Sequence, residues 1–269
     1  MVRAGPVKPG RAFIRRAAMR RDRMLLGICR HWLEFVTFLL ALYVALPFLA
    51  PVFMKLGLEA PGRVIYTLYS PFCHQFAFRS WFIGGQQTVW PRELAGLDDV
   101  SFERAALDSP AFRELYARFS GRNPADITLE DLYTFTPALQ FASRAFPGDE
   151  NFGYKLSLCE RDISIYGAML VGATLYRRWR SNLRPAPIWL YVLLGLAPVG
   201  IDGFSQLLGY PPFSLWPPRE TTPAFRVVTG MLFGLMNVWL GFPWLEISFQ
   251  ELREPLERRL VGGHRRTGP

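Results

Sequence analysis

The sequence predicts an all-α integral membrane protein. It should have four transmembrane helices, a re-entrant or outer-surface segment, and a small helical extracytoplasmic insertion. Three observations predict this. Half of the 269 residues are apolar and 15% are aromatic, proportions that are high for a soluble domain. The apolar residues gather in runs of about 20 or more, enough to cross a hydrocarbon core. The net charge of +9 sits in the two tails and one short loop, each beside an apolar run. Multi-span proteins place Lys and Arg this way on their cytoplasmic side. There is no zinc-finger spacing and no basic face interleaved with aromatics, which argues against nucleic acid as a partner. The lipid bilayer is the partner the composition implies, with another membrane protein as a second candidate.

Residues 1–30 form a basic tail, with Arg3, Lys8, Arg11, Arg15, Arg16, Arg20, Arg21, Arg23 and Arg30 against Asp22. It reads as a cytoplasmic topology signal rather than a cleaved leader, because the apolar run that follows is long enough to span and no A-x-A site follows it. A mitochondrial transit peptide is the lesser alternative. Residues 31–57 are the first transmembrane helix, with Pro47 and Pro51 expected to kink it. Residues 62–83 carry VIYTLYSPFCHQFAFRSWFI. A crossing here would reverse the charge rule for the loop at Arg177–Arg184. It would also leave Cys73, His74, Gln75 and Arg79 in lipid at several kcal/mol. The segment is therefore expected on the outer surface, or partly re-entrant.

Residues 84–157 are an acid-rich insertion. Ser109-Pro110 should open one helix and Gly121 should stop it. Thr128-x-x-Asp131 is a capping-box pattern that should open a second, ended by Pro147-Gly148. Residues 158–180 are the second transmembrane helix, headed by Cys159-Glu160-Arg161-Asp162 and footed by Arg177, Arg178 and Arg180. Residues 186–208 are the third, its outer half expected to be irregular around Gly195, Pro198, Gly200 and Gly203. Residues 209–223 are an outer Pro-rich loop. Residues 224–248 are the fourth helix, with Gly230-x-x-x-Gly234 as a packing motif. Residues 249–269 are a second basic tail. The protein should sit in the cell membrane as a multi-pass chain with both termini cytoplasmic.

With that topology the polar residues near the membrane converge on the outer side. Cys73, His74, Gln75, Arg79 and Ser80 meet Cys159 to Asp162 at the head of the second helix. Asp202 and Gln206 lie one turn apart on one face of the third. Arg226 heads the fourth. Buried charge in a bundle persists when paired, so Asp202 should pair with Arg226, and Asp162 with Arg79 or Arg161. His74 and Asp202 are the candidate catalytic groups. Gln75, Arg79, Arg161, Asp162, Gln206 and Arg226 are the candidate binding residues.

The stretches CHQFAFRS, GYKLSLCERDISIYGA, PVGIDGFSQLLG and FRVVTGMLFGLMNVWL, in that order, resemble the uncharacterised multi-pass membrane-protein family catalogued as domain of unknown function 2085. The resemblance covers roughly residues 64–90 and 148–245. It implies architecture and site position, carried by Cys73, His74, Arg79, Ser80, Cys159, Arg161, Tyr166, Gly167, Asp202, Gly203, Gln206, Arg226 and Gly230. It implies no reaction. Shorter relatives have C-x-R-C where this chain has Cys159-Glu160-Arg161-Asp162, so any three-cysteine metal site lacks a ligand.

Cys29 lies among arginines and should be a reduced cytoplasmic thiol. Cys73 and Cys159 should share the oxidising side, where thiols commonly pair. A Cys73–Cys159 disulfide would add ~4 kcal/mol by closing a long loop. A zinc site from Cys73, His74 and Cys159, completed by Asp162 or Glu160, is the less favoured reading. No cofactor is firmly implied. For function, the first reading is a polar extracytoplasmic site that binds or acts on a lipid-linked or small polar substrate. The alternative is a non-catalytic accessory subunit of a membrane complex. A transporter comes last, because no repeat and no midplane polar path is present.

Overall fold

A computed structural model describes residues 9–180 and 182–265. Arg3 and Lys8, counted above toward the first basic tail, and the last four residues of the second lie outside those residues. Helix α1 runs Pro9–Lys55. It therefore takes in much of the basic tail as well as the first apolar run. Its one departure from helical dihedrals is at His31 (φ −113°, ψ 19°), where the arginine-rich part meets the apolar part. Pro47 and Pro51 both sit inside the helix, and the backbone around them keeps helical dihedrals.

Helix α2, Glu59–Tyr69, opens the segment at 62–83. Eleven residues rise about 16 Å, roughly half a hydrocarbon core, so α2 cannot cross. It lies against α1, with Tyr69 donating to the Tyr43 carbonyl at 2.8 Å. The chain then runs extended past Cys73 and makes a short turn at Ala77–Arg79. Phe76 and Phe78 point into the insertion, whereas Cys73 packs with Ala50, Tyr69 and Ile163 of the bundle. The CHQFAFRS segment is thus the seam between two packed bodies.

The insertion is a cap with its own core and a small sheet. Strands β1 (Phe82–Ile83), β2 (Gly148–Asp149) and β3 (Gly153–Lys155) pair antiparallel in the order β1-β3-β2. Helices α3 (Phe102–Asp108), α4 (Pro110–Ser120), α5 (Leu129–Tyr133) and α6 (Pro137–Ala145) surround it. Helix α4 has the expected bounds: the Ser109 hydroxyl accepts from the Phe112 amide, and Gly121 closes it at φ 72°. The second expected helix is two. Thr128 and Asp131 form the capping box of α5, but Pro137 lacks the N–H that a continuous helix needs. Thr136 therefore caps a fresh start. The core is interlocked aromatics, with Phe102–Phe112 at 5.2 Å, Phe112–Phe146 at 5.4 Å and Phe146–Phe152 at 5.0 Å between ring centroids. Edge-to-face rings of this kind add to the area they bury.

One buried cation pins the cap to the seam. Lys155 donates to the carbonyls of Gln75 (2.6 Å), Ser143 (3.0 Å) and Arg144 (2.7 Å). Burial pushes its pKa down to about 7, while the three carbonyls consume all three protons of the charged form. Lys155→Met should strand three acceptors and cost about 2–3 kcal/mol. The cap would be seen to melt early by hydrogen exchange; unchanged protection of residues 137–157 would refute this.

Helix α7, Glu160–Trp179, returns antiparallel through the bundle, packed mainly on the last helix and also on α1. Helix α8, Ile188–Gly209, begins with a π-helical stretch at Tyr191–Leu196 and is regular from Ala197 to Gly209. The irregularity thus falls in the first half, not the second half as expected. Pro198 offers no N–H to the carbonyl four residues back, which suits a wider turn just before it. Helix α9, Pro223–Arg265, is one continuous rod through the second basic tail.

Among the described residues, three helical stretches are long and apolar enough to cross a membrane: Ala17–Lys55, Ile188–Gly209 and Pro223–Leu260. Their outward faces expose Phe38, Leu42, Ile201, Phe204, Val228 and Met231. Helix α7 carries charge at both ends and falls below that apolar threshold, and its neighbours bury much of it. The chain ends sort cleanly. Arg30 pairs with Glu257 at 2.9 Å, and Glu246 accepts from Trp32 and Arg180. This tail end therefore holds the start of α1, the foot of α7 and the end of α9. The cap end holds the head of α7, the end of α8 and the start of α9.

Candidate functional site at the cap end

Two charge networks occupy the seam between cap and bundle. The first starts in the cap, where Arg92, fully buried, binds Glu103 at 2.7 Å and the carbonyls of Leu132 and Tyr133. It also donates to the Tyr210 hydroxyl at 3.3 Å. Tyr210 donates to Glu220 at 2.8 Å. Glu220 accepts from Arg79 (2.7 and 3.1 Å) and from Arg226. Arg226 reaches Glu160 at 3.5 Å. Burial raises the Glu220 pKa, but Arg79 and Arg226 outweigh it and hold the carboxyl below its ordinary value. The same carboxylate holds Arg79 above its ordinary value, against its burial.

The second network centres on Asp202, whose side chain is fully buried. Oδ2 takes Arg161 and Gln206. Oδ1 takes Arg219 at 3.3 Å and the Thr221 hydroxyl. The expected Asp202–Arg226 pair is therefore not formed. The loop at 209–223 lies between them and supplies Arg219 to one and Glu220 to the other. Asp162 pairs with neither Arg79 nor Arg161 but accepts from the Cys159 thiol at 3.1 Å. Sequence reasoning missed Glu220, Arg219, Thr221, Tyr210 and Arg92. The only signal was Arg219-Glu220 itself, a charged pair in an otherwise apolar, Pro-rich loop.

Beside these networks lies a cavity of about 540 Å³. His74, Arg79, Arg161, Asp162, Gln206 and Arg226 of the expected residues line it, with Cys159 and apolar Phe72 and Leu207. Its volume is in the range of ligand sites. His74 is exposed and its ring lies against Phe76 at 5.4 Å. Asp202 stands behind the wall, with both oxygens committed to Arg161, Gln206, Arg219 and Thr221. That suits it to orienting Arg161 and Gln206 rather than to accepting a proton. Gln75 faces away, its amide donating to the carbonyls of Tyr66 and Ser157.

Cys73 and Cys159 do meet across the seam, but the expected disulfide is not there. Their sulfurs are 3.7 Å apart, against the ~2.05 Å of a bond, and all three cysteines are free. The Cys73 sulfur instead accepts the Cys159 amide at 3.2 Å and the Gln75 amide at 3.4 Å.

Long apolar helices with a lipid-type outer surface, closed at one end by a polar seam and a folded cap, define a helical membrane protein. Comparison with known proteins agrees. Residues 150–240 match the family described as "Predicted membrane protein (DUF2085)", so the resemblance read from the motifs holds over that stretch. The CHQFAFRS block lies outside it. The chain is also 30% identical over 105 residues to "Uncharacterized protein MJ1492" of Methanocaldococcus jannaschii, covering 38% of this chain. The matched stretch spans 62% of that relative's length. No solved structure matches.

Proposed function

We propose that the cap-end cavity binds the anionic, hydroxyl-bearing part of a lipid-linked or small polar substrate. In this reading the protein crosses the cell membrane four times, by α1, α7, α8 and α9, with both termini cytoplasmic and the cap outside. Two features support the topology. The basic segments collect at the tail end, as positive-inside sorting requires, and α7 rises about 30 Å over its length, a full hydrocarbon core.

One observation carries the binding reading. Arg161 Nε and Gln206 Oε1 are buried with no hydrogen-bond partner among the described residues, and both side chains line the cavity. A donor on a cation and a nearby acceptor suit a ligand with an oxyanion and a hydroxyl. Arg79 and Arg226 reinforce the positive wall. Leu207 and Phe204, beside it on α8, offer an apolar flank for an acyl chain.

The test is lipid binding by native mass spectrometry in detergent. Phosphatidylglycerol should bind at least ~tenfold tighter than phosphatidylcholine, about 1.4 kcal/mol. Arg161→Gln should erase that preference. Equal affinity for the two lipids, with inorganic phosphate also failing to compete, would remove the reading.

The alternative, an accessory subunit, draws on a different fact. Glu103, Glu160, Asp202 and Glu220 are all internally paired, as in a lock that holds the cap in place. It predicts that Arg161→Gln lowers protein level or partner retention instead of lipid preference.

A further inference from the structure

The thiol pair at the seam is unexplained by the cavity's arginines. We propose that Cys73, Cys159 and Asp162 hold one zinc-class divalent ion, with a fourth coordination position open to the cavity. The ligand atoms of these three residues all lie within 4.8 Å of one another. Two thiolates on a tetrahedral zinc, with Zn–S bonds of ~2.3 Å, sit ~3.8 Å apart; the sulfurs here are 3.7 Å apart. A contact of two neutral thiols would give a similar spacing, so distance alone does not decide.

The surroundings of Cys73 favour the ligand role. Its sulfur accepts two backbone amides, from Gln75 and Cys159. Paired N–H donors hold the sulfur in place, as outer hydrogen bonds do for a metal ligand. The Gln75 amide is aimed there by a left-handed residue (φ 55°), a conformation costly for a side chain of this type. That turn is fixed from all sides, by the Gln75 amide on Tyr66 and Ser157 and by Lys155 on its carbonyl. Cys159 and Asp162 belong to the N-terminal turn of α7, so one rigid element presents both ligand atoms to Cys73.

Charge also balances. A dication with two thiolates and one carboxylate carries one net negative charge. Arg79 lies within Coulombic range of Cys159, and Lys155 of Cys73. On binding, each thiol releases its proton to solvent as its metal–sulfur bond forms, and nothing is oxidised or reduced. Cys159, Asp162 and His74 line the cavity, so a water or a substrate oxygen would take the open position. The proposed ligand set is the one expected from sequence, with Asp162 as the completing carboxylate, but without His74.

This proposal does not depend on what the cavity binds. The experiment is cobalt(II) titration of the full-length protein in detergent, stripped with a chelator and kept reduced. One equivalent should bind, with thiolate-to-cobalt charge-transfer absorption and tetrahedral d–d bands. Zinc should displace it. Cys159→Ser and Asp162→Ala should each weaken binding at least ~tenfold, and His74→Ala should not. The idea fails if folded wild-type protein shows no charge-transfer band. It fails equally if Asp162→Ala binds as wild type, or if the untreated protein has Cys73 and Cys159 oxidised to each other. Phosphatidylglycerol preference, measured on the same samples, reports separately on the anion site.

Discussion

Replacing Glu220 with glutamine should destabilise the protein by about 3–5 kcal/mol, the cost of stripping a buried ion cluster of its shared anion. Glu220 is 1% exposed at its side chain and holds two guanidinium groups, Arg79 and Arg226, with Tyr210 as a third donor. Glutamine keeps the shape but leaves two cations facing each other in a dry seam. The exposed pair Glu59–Arg63 is the control, and Glu59→Gln should move stability by under ~0.5 kcal/mol. The same carboxylate sets an acid limit. Its folded pKa lies below the ordinary 4.5, so the unfolded chain takes up a proton first as pH falls. The stabilisation is complete above about 4.5 and disappears as pH drops through the lower folded value. Thermal unfolding in detergent checks both statements. The wild type should lose more stability than the Glu220→Gln variant as pH falls, the remainder of the acid sensitivity coming from the other paired carboxylates such as Glu246. A variant that melts with wild type at neutral pH would refute the account.

The apolar runs and the arginines around them were legible because both follow from one solvent boundary, and boundaries leave a linear record. The bounds of α4 were legible for a similar reason, since Ser109, Pro110 and Gly121 act on their own backbone. Partner choice was not. Asp202 lies near the end of α8 and Arg226 near the start of α9, and nothing in their spacing reveals that Arg219 and Glu220 fold between them. The cap shows the same limit. Phe102, Phe112, Phe146 and Phe152 form one core at positions with no shared period, so the sequence there reads as a polar loop with two helices. For Cys73 and Cys159 the sequence led to the meeting, but the disulfide expected between them is not formed. Proximity follows from topology, whereas chemistry follows from which amides and which carboxylate face the sulfurs.

Gly234→Leu should be as damaging as any single change in the bundle. A β-carbon at Gly234 would lie 2.3 Å from the Ile165 carbonyl oxygen and 3.0 Å from Ala168 Cβ. At Gly230 it would lie 2.8 Å from the Arg161 carbonyl oxygen. The nearest obstacle at each position is a backbone carbonyl, so α7 and α9 would have to separate. In lipid the association of helices relies on close contact of this kind, and the loss should reach or exceed the ~3 kcal/mol upper end of ordinary overpacking. Gly200→Ala and Gly241→Ala are the controls, because nothing lies within 4 Å of either position. The consequence extends to the site. That seam places Glu160 against Arg226, and α8, packed on α9, brings Asp202 to Arg161, so parting α7 from α9 should also disengage both ion pairs. Gly234→Ala, the milder change, should therefore lower the melting temperature and the phosphatidylglycerol preference together. If the melting temperature falls while lipid preference stays intact, the α7–α9 seam does not position the arginines.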